Sequence, residues 1–409
     1  MSHTTPSSAP WILVGSGMAG YQLAREIRAQ EAQLGLPAQQ LIMITSDGGE
    51  VYSKPLLSTA LSKAILPERL ISATGEQAAA ELALELRPWT RVEQLRPDQQ
   101  QLILSTGEEL SYGRLFLALG AAPQGPFVGL KGVHCLNSWQ EYQAFHQQLQ
   151  ALSTQQVVIL GSGLVGVEMA QDLLQAGYRV TLITRAPHLL DGLLPAEAAA
   201  FLEAALIEQG LTIQRATEVV AITPKATGQQ LVLSDGRQQD AELIISALGL
   251  APRITLAAEA GLATSRRGIA VNRQLQTSDP NIYALGDCAD LDGQLLMYVQ
   301  PLMASARSLA QQLFQPEAPG LSLPALPVLI KTPTCPCVVA PPQGEGHWEI
   351  EANPQGVTGR FISPEGALLG FALVGQAVRQ KSTLTRQLPD LLPEPPAPHE
   401  RVMPSLSDR

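Results

Sequence analysis

Three features of the sequence predict an α/β chain: two Rossmann-like domains with parallel sheets, plus a small C-terminal α+β domain. The first is an internal repeat. An apolar run Trp11-Ile12-Leu13-Val14 leads into Gly15-Ser16-Gly17-Met18-Ala19-Gly20, and 146 residues further on Val157-Val158-Ile159-Leu160 leads into Gly161-Ser162-Gly163-Leu164-Val165-Gly166. The second is that each glycine turn opens a stretch with helical spacing, which gives way to another apolar strand. The third is a matching pair of strand ends, Ala118-Leu119-Gly120 and Ala247-Leu248-Gly249, which reads as one crossover used twice.

The elements come in chain order. Ala19 to Ala29 places Leu23 and Ile27 on one helical face, and Leu41 to Thr45 is the strand after it. In the second unit Val167 to Ala176 carries Ala170, Leu173 and Leu174, Gly177 sits where a helix C-terminal glycine belongs, and Arg179 to Ile183 is the strand. In such a turn the first glycine permits the tight bend and the second lets the backbone approach a pyrophosphate. The third lets helix and strand pack closely, while the helix N-terminus holds the phosphate charge. One match is as readily a structural loop; two in correctly ordered units point to dinucleotide binding. Thr45 and Ser46, with Asp47, occupy the adenosine-ribose position of the first unit, although the insertion Leu34 to Gln40 blurs the register. The second strand ends Ile183-Thr184-Arg185 without the acid that would bind the ribose 2′-OH of NAD, and Arg185 suits a 2′-phosphate. Further strands are expected at Leu102 to Leu104, Leu115 to Leu119, Leu231 to Leu233, Leu243 to Leu248 and Ile282 to Leu285. After Leu321 come Pro-rich connectors, short strands at Phe361 to Ile362 and Leu368 to Val374, and a helix-like Gln376 to Gln387.

Composition excludes several classes of function. The chain has 409 residues, 45% of them hydrophobic, which is enough for more than one core. A net charge of −10, with no Lys/Arg-rich block, argues against nucleic acid. No apolar run approaches the ~20 residues of a membrane-spanning helix, and Met1 to Pro10 is a polar tail, so a cytoplasmic protein without membrane insertion is expected. Cys135, Cys288, Cys335 and Cys337 are too few for a disulfide framework. The Cys335-Pro336-Cys337 pair has no second Cys/His pair nearby to complete a metal site, and buried thiols are expected.

The segment Thr277-Ser278-Asp279-Pro280-Asn281-Ile282-Tyr283-Ala284-Leu285-Gly286-Asp287, together with the two glycine turns, resembles the two-dinucleotide-binding flavoprotein disulfide reductase superfamily. The resemblance implies that the first turn takes FAD, the second NAD(P)H, and that Asp287 holds the ribityl chain. It divides the chain into a tail (1–10), an FAD domain in two parts (11–120 and 249–322), a nicotinamide nucleotide domain (121–248), a C-terminal domain (323–390) and a second tail (391–409). Where disulfide-reducing members carry a cysteine pair, this chain reads Glu50-Val51-Tyr52-Ser53-Lys54-Pro55-Leu56-Leu57-Ser58. Without a dithiol, electrons must leave the flavin directly.

Within the superfamily, Tyr52-Ser53-Lys54-Pro55, Tyr298 to Arg307 and Val328 to Pro336 are similar to the rubredoxin–NAD(+) reductases. That likeness implies FAD, NADH with NADPH left open, hydride transfer to flavin, single electrons to rubredoxin, and a setting such as hydrocarbon degradation. It implies FAD contacts at Lys54 and Lys331 near the isoalloxazine, Val299 at the start of a helix, Val92 by its backbone at the adenine, and Glu168. Ala118 and Gly120, where the first crossover ends, belong to the same cofactor set. Each lysine precedes Pro or Thr-Pro in an apolar segment, which can aim an ammonium inward, and a cation there favours reduced flavin. Glu168 also suits the positive helix end as a first-turn acid. Two other functions share the motifs: the ferredoxin reductase component of an oxygenase system, and a non-catalytic flavin-binding protein.

Overall fold

The computed structural model describes residues 9–152 and 155–394, so most of both expected tails, 1–8 and 395–409, lies outside the described residues. The first five-stranded sheet is wholly parallel, in the order Ile282–Ala284, Arg114–Leu117, Trp11–Val14, Leu41–Ile44, Glu85–Arg87. Of its two outer strands, Ile282–Ala284 arrives only after the whole second unit has been threaded. The second sheet repeats the plan, in the order Val133–His134, Leu243–Ser246, Gln156–Leu160, Arg179–Ile183, Thr212–Gln214. The central strands of both sheets, Trp11–Val14, Leu41–Ile44, Gln156–Leu160 and Leu243–Ser246, read as nearly unbroken apolar runs because both faces are covered. The repeat also extends to the crossovers, each a three-stranded antiparallel sheet: Val92–Arg96, Gln101–Leu104 and Glu109–Ser111, then Val219–Pro224, Gln229–Leu233 and Gln238–Ala241. Ala121–Pro123 and Leu250–Pro252, which come after the two crossovers, pair antiparallel and tie the domains together.

The first helix, Met18–Leu34, runs beyond the expected Ala19 to Ala29 and takes up the start of the insertion. It stops where Gly35, at φ +64°, turns left-handed and donates to the carbonyls of Ala32 and Glu31. Leu23, Ala24 and Ile27 share a core with Ala306, Leu309 and Ala310 of the helix Val299–Phe314 beside it. The second unit's helix is Leu164–Gln175, with Gly177 just past its end at φ +89°.

The C-terminal domain is a five-stranded antiparallel sheet in the order Val328–Ile330, Cys337–Ala340, Leu368–Gly375, Gly356–Ile362, His347–Asn353. The edge strand His347–Asn353 is not apparent in the sequence because Trp348 and Ile350 alternate with exposed His347, Glu349 and Glu351. The expected helix Gln376 to Gln387 is instead a 3-10 turn, Gln376–Gln380, leading into the single-turn helix Lys381–Thr385. The expected second tail begins too early: Leu392 is 1% exposed and pairs with Leu323, fixing 391–394 to the body.

One detail of packing positions the site. A strap of the first domain, residues 53–70, puts Leu57, Ala60 and Leu70 into the core of the second domain, which Ile330, Cys335 and Val374 of the C-terminal domain also enter. Three domains therefore meet at one place.

Candidate functional site

The two glycine turns are close steric copies. A Cβ on Gly15 (φ +111°) would lie 2.3 Å from the Ala118 carbonyl oxygen, and one on Gly20 would lie 2.0 Å from the Gly15 carbonyl oxygen. The second unit gives 2.5 Å for Gly161 against Ala247 and 2.1 Å for Gly166 against Gly161. Gly17 and Gly163 differ: a Cβ there would meet open space among the described residues. Each is a helix N-cap without a capping side chain, and neither first turn carries an acid, so the first N–H groups are left for an anion. Met18, Ala19 and Leu164 begin these helices. Both cradles fit a dinucleotide pyrophosphate.

Beyond the turns the units diverge. Ser16 and Thr45 share a hydrogen bond of 2.7 Å, and both hydroxyls reach Asp47, which also accepts from Gly49 N. Ser46 beside them is exposed. Thr90 N donates to Thr45 and Trp89 N to Asp47, which brings the start of the Val92–Arg96 strand to this end of the site. In the second unit Ser162 and Thr184 repeat the pair at 2.8 Å, but the Thr184 hydroxyl accepts from Ala186 N. The repeat thus places Ala186 where Asp47 stands, with Arg185 exposed next to it. An Ala186→Asp variant is expected to raise the NADH/NADPH ratio of kcat/KM by about tenfold, the worth of ~1.4 kcal/mol. Steady-state kinetics with both nucleotides measure it, and an unchanged ratio would place recognition elsewhere.

At the three-domain junction the expected lysines each face an acid. Lys331 Nζ donates to Glu168 Oε2 at 2.7 Å, to Ser58 Oγ at 2.8 Å and to the Pro55 carbonyl at 2.8 Å, which uses all three of its protons. Ser58 Oγ donates to Glu168 Oε2 at 2.7 Å, and Lys331 N to Glu168 Oε1 at 3.2 Å. Glu168 is the fifth residue of its helix, so the first-turn reading is corrected: these partners, not the helix end, hold its charge. Lys54 opens a 3-10 turn, Lys54–Ser58, that Pro55 pre-sets. Burial pushes its ammonium down, and nearby Asp287 opposes that shift. Burial pushes the Asp287 carboxyl up, against the pull of Lys54 and Arg253. Gly286, at φ +76°, would bring a Cβ to 2.9 Å from Ala19 Cβ, so the Asp287 turn lies against the first glycine helix.

Val299 is the first residue of its helix and 38% exposed. Gly120 (φ +67°) accepts from Arg253 N, and the Arg253 guanidinium donates to the Leu119 carbonyl. Ser58 and Arg253 are site residues that sequence reasoning misses: Ser58 ends the same 3-10 turn as Lys54 but carries no signal of its own, and Arg253 is brought in by tertiary packing. All four cysteines are unpaired and buried. Burial pushes the Cys288 thiol up to about 11 and Cys337 to about 12, so neither offers a thiolate near neutrality.

Paired pyrophosphate cradles beside a junction of buried lysines and carboxylates, with no cysteine in the strap, define an oxidoreductase that works with FAD and a pyridine nucleotide. The model of the family described as pyridine nucleotide-disulphide oxidoreductase matches residues 10–311, and one described as rubredoxin binding C-terminal domain matches residues 320–388. The chain belongs to the pyridine nucleotide-disulphide oxidoreductase family. It is 39% identical over 392 residues to a rubredoxin-NAD(+) reductase of Alcanivorax borkumensis, covering 94% of this chain and 100% of that one. It is also 39% identical over 385 residues to a nitric oxide reductase FlRd-NAD(+) reductase of Vibrio vulnificus, covering 93% and 98%. Among solved structures, the covalent putidaredoxin reductase-putidaredoxin complex matches with a TM-score of 0.82 at 25% identity over 94% of both chains. Among the described residues no helix is long and apolar enough to cross a membrane.

Proposed function

We propose that this chain is an FAD-containing, NADH-dependent rubredoxin reductase. The observation that carries the reading is the junction itself: Lys331, from the part of the chain that matches a rubredoxin-binding domain, is bonded to Glu168 and Ser58 of the other two domains. Bound FAD supplies the exchange between the electron pair of a nicotinamide and the single electrons an iron centre accepts. The rest is the work of the chain. Gly15, Ser16, Gly17, Met18, Ala19 and Gly20 hold the FAD pyrophosphate, Thr45, Ser46 and Val92 its adenosine end, and Ala118, Gly120, Asp287 and Val299 its central stretch. Gly161, Gly163 and Gly166 hold the pyrophosphate of the nicotinamide nucleotide. Lys54 and Lys331 are the cations that favour added electrons, with Glu168 orienting the second. Residues 11–120 and 249–322 form the FAD domain, 121–248 the nucleotide domain and 323–390 the docking domain. A cytoplasmic setting accords with four unpaired thiols.

The resemblance to the rubredoxin–NAD(+) reductases implies an acidic rubredoxin as partner, and its docking onto a chain of charge −10 calls for a local basic face. Lys331 is committed to Glu168, Lys54 faces Asp287, and Arg307 leans toward Glu26 at 3.7 Å. Residues 376–388 carry Arg379, Lys381 and Arg386 and no acid, and Arg379 and Arg386 are exposed. Arg379→Glu is expected to slow rubredoxin reduction about fivefold at low salt, where the Debye length is about 30 Å, and less at 0.1 M, where it is about 10 Å. NADH-to-ferricyanide turnover should not change. Stopped-flow rates insensitive to both salt and the substitution would exclude this face as the docking surface.

A further inference from the structure

The helix Leu164–Gln175, which begins at the second glycine turn, carries three buried polar side chains: Glu168, Gln171 and Asp172. Glu168 is the centre of the junction, and the other two grip the segments that meet there. Asp172, 2% exposed, accepts from Leu61 N at 3.1 Å, from Ser62 N at 2.9 Å and from Ser62 Oγ at 2.5 Å. Gln171 Oε1 accepts from the Thr334 hydroxyl at 2.6 Å, three residues beyond Lys331. We propose that Asp172 is a positioning residue of this oxidoreductase: by fixing the strap at Leu61 and Ser62, it sets Ser58 against Lys331 and Glu168 and sets Lys54 beside Asp287.

The choice of residue supports the assignment. Burial pushes the Asp172 carboxyl up, and the Ser62 and Leu61 donors, with a smaller pull from the Lys63 ammonium nearby, bring it back. Among the described residues no side-chain cation bonds to it. A buried carboxylate without a bonded cation is costly to keep, and an apolar side chain of that size would avoid that cost only by leaving the Leu61 and Ser62 donors without their acceptor. What a carboxylate adds is direction: two adjacent N–H groups and a hydroxyl fix both place and orientation of the backbone. The rival explanation is that Leu57 and Ala60, buried in the second core, hold the strap unaided.

The proposal rests on reading the junction as the flavin side of the site, and its test separates the two. Holoenzyme reconstituted with FAD is compared as wild type, Asp172→Asn, Ser62→Ala and the control Glu31→Gln. Glu31 is a buried acid of the first helix that accepts from Gln39 N and Arg28, away from the junction. Asp172→Asn is expected to retain FAD and to keep KM for NADH within about twofold. It should shift the visible flavin bands and lower kcat with ferricyanide about tenfold, since a misplacement near 1 Å can cost about 100-fold. Ser62→Ala should shift the same bands in the same direction and lower kcat about twofold. Glu31→Gln should lower Tm with bands and kcat unchanged. Wild-type bands and kcat in Asp172→Asn would overturn the proposal, as would a loss of kcat matched by equal loss of FAD. If Asp172→Asn does not fold, unshifted bands in Ser62→Ala overturn it. The spectra need no acceptor, so an inactive wild type would count against the proposed function while the bands still decide on Asp172.

Discussion

Gly166→Ala will end NADH-driven turnover in a protein that stays yellow, and Gly20→Ala will give a protein that does not hold flavin. The two glycines are equivalents in the repeat, and the added methyl meets the same obstacle in each: a backbone carbonyl at 2.1 Å from Gly161 in one case and at 2.0 Å from Gly15 in the other. A backbone oxygen cannot swing aside as a long side chain would. The turn must open, carrying the helix N-terminus away from the pyrophosphate it is proposed to hold. The separation of phenotypes comes from the separate sheets on which the two turns sit. The measurements are the flavin-to-protein absorbance ratio and NADH-to-ferricyanide kcat/KM, which should fall more than about 100-fold in both variants, or ~2.7 kcal/mol. Stoichiometric FAD in Gly20→Ala, or near-normal NADH kinetics in Gly166→Ala, would overturn the assignment of the turns.

Lys331→Met will cost more than removing both partners of its ion pair. The side chains of Lys331 and Glu168 are 30% and 11% exposed, so the loss of the ammonium strands a mostly buried carboxylate on Ser58 and one backbone N–H. Leaving a charged acceptor short of its donor costs about 2 kcal/mol, and a fall in Tm of about 4–8 °C is expected for domains of this size. Glu168→Gln on the same background removes the charge and should restore part of the loss, a coupling that a double-mutant cycle reads directly. The flavin half of the same cycle is kinetic: Lys331→Met should slow reduction by NADH about tenfold, because the proposed function sets this cation beside the flavin, where it favours added electrons. Additive effects in both readouts would show that the 2.7 Å contact does not couple the domains.

The range of the forces involved decides which features are legible in the sequence. Gly20 and Gly166 are legible because the reason for each is a steric contact within its own turn, with the Gly15 or Gly161 carbonyl, whereas Gly15 and Gly161 meet the distant Ala118 and Ala247 carbonyls and are legible through the repeated motif. The parallel sheets are legible because strands covered on both faces carry unbroken apolar runs. The edge strand His347–Asn353 is not, since half of it faces water. Nor is the end of the chain body, because Leu392 is buried by non-local contacts, its bridge to Leu323 and its place in the core of the first domain. The site residues Lys54, Lys331, Glu168 and Asp287 are reached through a resemblance, but no local pattern discloses their pairing. Lys331 and Glu168 are 163 positions apart and meet only when three domains close. Asp172 leaves one local trace, an acid four residues past Glu168 on one helix, and its partners on the strap are again non-local.

In the proposed function, electrons from NADH leave this chain for rubredoxin. The decisive measurement mixes NADH-reduced holoenzyme with oxidised rubredoxin, and separately with a ferredoxin, in an anaerobic stopped-flow, where bleaching of the acceptor reports transfer without a downstream enzyme. Rubredoxin should bleach completely within the turnover time, with ferredoxin at least about tenfold slower at equal concentration, and the rubredoxin rate should fall with salt. Equal or faster reduction of ferredoxin would refute the proposal, and so would a holoenzyme that takes electrons from NADH and passes none to rubredoxin.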